Sequence, residues 1–116
     1  MEFNYQINKQ KGANVIALQG ELIDKNQADV LLKSVQELID NKELKIVLDL
    51  SELKYINSSG LNVFINILTR SRKTGGDIAI ARVTKKVKEL LVITKLNKVF
   101  NVSETIDEAI SKLENK

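Results

Sequence analysis

The chain predicts an α/β domain built on a mainly parallel sheet, and three observations carry that expectation. Short apolar runs of strand length alternate with stretches whose apolar residues recur at helical spacing, in the order β-β-α-β-α-β-α-β-α. The run Ile46-Val47-Leu48, with Leu50 following, is continuously apolar, as in a strand covered on both faces. At 116 residues the chain is long enough to bury one core without staples, so a single domain over residues 1–116 is expected. Strands separated by helices imply right-handed crossovers. The result is a sheet of four to five strands, mainly parallel, with the N-terminal strand antiparallel at an edge and four helices around it.

Phe3, Tyr5 and Ile7 alternate with polar residues, the period of a half-buried strand. A polar turn from Lys9 to Asn14, with Gly12 inside it, leads to the apolar strand Val15-Ile16-Ala17-Leu18, forming a hairpin that Gly20 closes. Asp24 and Gln27 form a capping box for the first helix, whose stripe is Ala28, Leu31, Leu32, Val35, Leu38 and Ile39. The central strand from Lys45 then ends in a short loop before a second helix, expected over about 58–73.

On that second helix Leu61, Phe64, Ile65 and Leu68 share one side, while Val63 and Ile67 fall on another beside Asn66 and Arg70. Two readings follow. Neighbouring helices cover both flanks, or Val63 and Ile67 form an exposed docking patch. Thr74-Gly75-Gly76 ends the helix, and Asp77 to Ala81 is a short buried strand. Thr84 caps a third helix bearing Val87, Leu90 and Leu91. Val99 to Val102 is a last strand, and Thr105 with Glu108 boxes a final helix striped by Ile106, Ala109, Ile110 and Leu113.

The absent residue types narrow the function. Without Cys or His there is no thiol nucleophile, Cys-based metal site, imidazole base or Ser-His-Asp triad. No catalytic residue, metal or cofactor is expected, and no P-loop or dinucleotide fingerprint is present. A net charge of +3, two Tyr and three Phe give little basis for direct nucleic-acid binding. No apolar run approaches a membrane span, so no membrane partner and a cytoplasmic location are expected.

The chemistry concentrates at Asn57-Ser58-Ser59-Gly60, four short residues at the start of the second helix. Two hydroxyls there lie close to free backbone N–H groups, which favour a negative group. From pattern alone Ser58 reads as a cap accepting from the N–H of Gly60 or Leu61. Gly60 either admits a partner backbone or relieves crowding against the central strand. Asp49 reads as a hydrogen-bonded carboxylate at a strand end. Arg82, Lys85, Lys86, Lys88, Lys95 and Lys98 gather around the third helix as a solvated face, or as a surface for an acidic partner.

The element order, with Asp49-Leu50-Ser51 and, after a short loop, Ile56-Asn57-Ser58-Ser59-Gly60-Leu61, resembles the STAS domain family, and more narrowly its bacterial anti-sigma factor antagonists. Gly20-Glu21-Leu22 is similar to the family's Gly-x-Leu, and the likeness runs from about Tyr5 to Leu113. The resemblance implies that Ser58 is a phosphoacceptor. It implies an anti-sigma factor partner of the serine-kinase type, bound when Ser58 is unphosphorylated, and a serine phosphatase that resets it; a monomer when free is the default expectation. Taking the corner and the helix-face reading together, the partner-binding residues expected are Asn57, Ser58, Ser59, Gly60, Val63 and Ile67. Asn57 stands where the family commonly has Asp. That departure keeps open an alternative, a STAS assembly subunit of a transporter or stress-signalling complex that is never phosphorylated.

Overall fold

The computed structural model describes residues 3–114. Of the domain expected over 1–116, two residues at either end lie outside the described part. Five strands form one sheet in the order β1-β2-β3-β4-β5, with β1 antiparallel to β2 and the remaining pairs parallel. The strands are β1 (Asn4–Gln10), β2 (Ala13–Leu22), β3 (Lys45–Ile56), β4 (Asp77–Ala81) and β5 (Asn101–Ser103). The helices are α1 (Asp29–Asp40), α2 (Ser58–Lys73), α3 (Lys85–Ile93) and α4 (Ile106–Glu114), with 3-10 turns at Lys25–Ala28 and Leu96–Lys98. Among the described residues, no helix is long and apolar enough to cross a membrane.

The β1–β2 turn is tighter than expected: Lys11 (φ 50°) and Gly12 (φ 82°) make it alone. Two consecutive left-handed residues match the twist of the flanking strands, and the ladder therefore closes at Gln10 and Ala13. Ile7, expected half-buried, is exposed on this edge strand. The second strand does not stop at Gly20. It shifts register twice, between Ala17 and Gln19 and between Gly20 and Glu21, and pairs on to Leu22.

That extension explains a second difference. Residues 51–56, expected as a loop, are strand, because Glu52, Leu53, Tyr55 and Ile56 pair with the prolonged end of β2. Neighbouring β4 stops at Ala81, opposite Asp49. The outer half of β3 thus runs past β4, and α2 starts from its tip. The last strand is displaced as well: Val99 is exposed and Phe100 buried before β5 begins at Asn101.

Alternation along the strands splits the core. Ile16, Ile46, Leu48, Ile78 and Ile80 face α1, α2 and α3, where Leu31, Val35, Phe64, Ile67, Val87 and Leu91 meet them. The opposite face, with Val15, Val47, Ala79 and Ala81, carries α4 through Ala109, Ile110 and Leu113. Alanines on that side let the single helix sit close.

Glu43, in the segment between α1 and β3, accepts from Lys9 Nζ and Asn14 Nδ2, each at 2.8 Å. The Lys9 hydrogen bond first, and then that of Asn14, hold its carboxyl below the usual range. Because the folded state favours the ionised form, this contribution is present above the unfolded pKa and is lost as pH falls through the depressed value. Glu43→Gln is therefore expected to flatten the acid limb of a stability-versus-pH profile measured by urea unfolding, leaving the limb above neutrality unchanged.

Candidate functional site

The site is built where β3 hands over to α2. Ile56 anchors the end of the strand in the core. Asn57 is extended (φ −118°, ψ −170°) and uses every polar group it has. Its Oδ1 accepts from the Gly60 N–H at 3.0 Å, and its Nδ2 donates to the Ile23 carbonyl at 3.0 Å. Its backbone N–H donates to the Leu22 carbonyl at 3.4 Å, while its own carbonyl accepts from Leu61 at 3.0 Å. The corner is thereby tied to the end of β2.

Asn57, not Ser58, is the helix cap. The reading of Ser58 as the capping hydroxyl is corrected: cap geometry needs an extended residue, and Ser58 is already the first helical one. Ser58 is exposed, and among the described residues no group hydrogen-bonds its Oγ. Asn57→Ala is expected to cost about 1 kcal/mol of stability, and Ser58→Ala to stay within about 0.5 kcal/mol of wild type. Urea unfolding of the two variants checks both.

Three residues expected to meet a partner point inward instead. Gly60 is buried, and a Cβ there would run into the Leu22 carbonyl and the Ile56 side chain. It relieves crowding and is not an opening for another backbone. Val63 (3% exposed) and Ile67 (0%) do not form an exposed docking patch. α2 lies against the sheet and α1 together, so its buried surface is wide enough to include them. Ile65, expected on the core side, is exposed instead.

What remains accessible is Ser58, Ser59 and part of Asn57. Grooves open on two sides of them. Ser58 joins Tyr55, Ile56 and Asn57 against Lys86, Val87 and Leu90 of α3, around a space of about 480 Å³. Ser59 lines a smaller groove of about 260 Å³ with Leu32, Asn62, Val63 and Asn66. Ile23 and Tyr55 are exposed apolar side chains beside the corner, and sequence reasoning missed both. Tyr55 was hidden by reading its segment as a loop, and Ile23 by the absence of any pattern around it.

Asp49 is engaged elsewhere. It is nearly buried, accepts from the Ser51 N–H at 3.1 Å and faces Arg82 Nε at 3.5 Å; Arg82 also donates to Ser51 Oγ at 2.9 Å. That set fastens β3 to the end of β4, in keeping with a hydrogen-bonded strand-end carboxylate. Chemically, the corner offers an exposed primary hydroxyl to which no base among the described residues is hydrogen-bonded. It can receive a group from another enzyme.

The STAS domain model matches residues 4–109. The anti-sigma F factor antagonist of Paenibacillus polymyxa is 28% identical over 115 residues, covering 98% of this chain and 97% of that protein. The solution structure of the Thermotoga maritima protein TM1081 superposes with a TM-score of 0.86 at 27% identity, over 97% of this chain and 90% of that one. The phosphorylated form of the Bacillus cell-fate determinant SpoIIAA superposes at 0.72, over 94% of this chain and 98% of that one. At 17% identity the SpoIIAA likeness is one of fold. With the family model spanning nearly the whole chain, residues 4–109, this chain belongs to the STAS domain family.

Proposed function

We propose that this chain is an anti-sigma factor antagonist, and that phosphorylation of Ser58 ends its binding. The observation that carries the proposal is the exposed Ser58 hydroxyl at the first turn of α2, released from capping by Asn57. Relatives named as anti-sigma factor antagonists support the general role. In its unphosphorylated state the corner binds an anti-sigma factor, which frees the sigma factor. The apolar Ile23 and Tyr55 beside it give the partner surface to bury.

The partner is taken to be a serine kinase holding a nucleoside triphosphate. Ser58 Oγ attacks the γ-phosphorus, the new O–P bond forms as the bond to the bridging oxygen breaks, and the diphosphate leaves. The hydroxyl proton passes to a base on the kinase, since this chain offers none at the corner. The product carries about −1.5 to −2 charge and three strong acceptors. A helix N-terminus tolerates that charge, so the domain itself changes little. A partner packed over the corner must instead strip water from that anion, which drives it off. A serine phosphatase restores the starting state.

Asn57 favours one other reading, an assembly subunit that is never phosphorylated. Intact mass of the protein isolated from its own cells, before and after phosphatase treatment, separates the two. A labile single phosphate on Ser58 with a co-purifying kinase-type anti-sigma factor is the expected result. An unmodified chain held by a transporter subunit would overturn the proposal.

A further inference from the structure

We infer that Lys86 on α3 is the residue that receives the phosphate on Ser58, drawing it into the groove between the corner and α3. The inference rests on the reading of Ser58 as a phosphoacceptor and adds what happens to the phosphate once it is there. Ser58 and Lys86 line the same groove, Ser58 from the β3–α2 side and Lys86 from α3, above an apolar floor of Ile56, Val87 and Leu90. Among the described residues lining that groove, Lys86 is the charged one.

The placement of Lys86 is not left to chance. Val87 and Leu91 are buried on either side of the helix turn that follows it, and Thr84 Oγ1 caps that helix by accepting from the Val87 N–H at 3.4 Å. Its backbone is therefore fixed while its four-carbon stem remains long enough to turn toward the groove. Its ammonium forms no ion pair among the described residues. The other charges on the surrounding elements are differently disposed. Lys54 on β3 is paired with Glu52 at 3.4 Å. Asp24, next to Ile23, accepts from the Asn26 N–H at 2.9 Å, and Glu21 lies on β2 opposite Tyr55. Both acids belong to the β2 side of the corner and Lys86 to the α3 side, so the cation available to a phosphate at Ser58 stands across the groove toward α3.

The pairing gives the switch a second component. A phosphate held against α3 occupies the groove that an apolar partner side chain would fill between Tyr55 and Leu90, so it excludes the partner by volume as well as by charge. Charge-assisted hydrogen bonds of this kind are short and stabilise the dianion.

The test uses the full chain with phosphoserine installed at position 58 during translation, titrated by phosphorus NMR at low ionic strength, where exposed pairs are least screened. Three proteins are compared: the unsubstituted chain, Lys86→Gln and Lys88→Gln, with circular dichroism confirming that each is folded. Lys86→Gln is expected to raise the second phosphate pKa by about half a pH unit, the size of an exposed ion pair, and Lys88→Gln to raise it by clearly less. No change in Lys86→Gln, or an equal change in Lys88→Gln, would overturn the inference. The two readings fail separately. Unimpaired anti-sigma factor binding by the phosphorylated chain sinks the switch, whereas an unmoved phosphate pKa sinks only the role of Lys86.

Discussion

Ser58→Asp is expected to weaken binding of the anti-sigma factor by about a hundredfold or more, roughly 2.7 kcal/mol, while Ser58→Ala binds as wild type does. The exposed position of Ser58, and the absence of any hydrogen bond to its Oγ among the described residues, make the pair of variants clean. Neither removes a cap or a core contact, so thermal unfolding should be almost unmoved. Aspartate carries one charge where a phosphate carries nearly two, so the phosphorylated chain should lose more than the variant. Titration calorimetry of the three proteins against the same anti-sigma factor gives the comparison. Equal affinity for Asp, Ala and wild type would remove the charge gate.

Gly60→Ala is expected to destabilise the fold by about 1–3 kcal/mol, a fall of several degrees in melting temperature for a domain of this size. The sign is the informative part. In a helix interior, glycine to alanine normally stabilises by about 1 kcal/mol through propensity. Here the added methyl meets the Leu22 carbonyl and the Ile56 side chain. A backbone carbonyl cannot rotate away as a flexible side chain can. Leu22 O also accepts from the Asn57 N–H, so moving it loosens the tie between β2 and the corner. Partner affinity should fall together with stability, and a variant as stable as wild type would show that α2 can shift without cost. Ser59→Ala, one residue earlier and exposed, is the matched control.

The positions at which the chain was legible share a physical reason. α2 falls at Ser58–Lys73, because Asn-Ser-Ser-Gly and Thr-Gly-Gly are local signals that need no distant partner. The Asp24–Gln27 box likewise forms as the residues imply, although it caps a 3-10 turn that leads into α1. Failures occur where distant chain decides the outcome. Glu52 and Tyr55 look like loop residues until β2 lengthens to pair with them. Helical spacing leaves Val63 and Ile67 open between covered flanks and an exposed patch, because it reports angles and not how many neighbours cover them; with the sheet and α1 both adjacent, the covered reading holds and the patch does not. At the corner, Asn57 and Ser58 are equally good caps by residue type. The register that chooses Asn57 is set by its bonds to Leu22 and Ile23, outside any local pattern.

The overhang of β3 beyond β4 determines who can reach the serine. From Leu50 to Ile56 the strand advances roughly 20 Å past the last pairing with β4, in a molecule whose longest dimension is 31 Å. Ser58 consequently sits at one end of the sheet, beside the outer half of β3, while on the opposite face Val47 of β3 packs in the cluster that carries α4. An enzyme that approaches from that end meets Ser58 together with the α3 wall of the groove it lines.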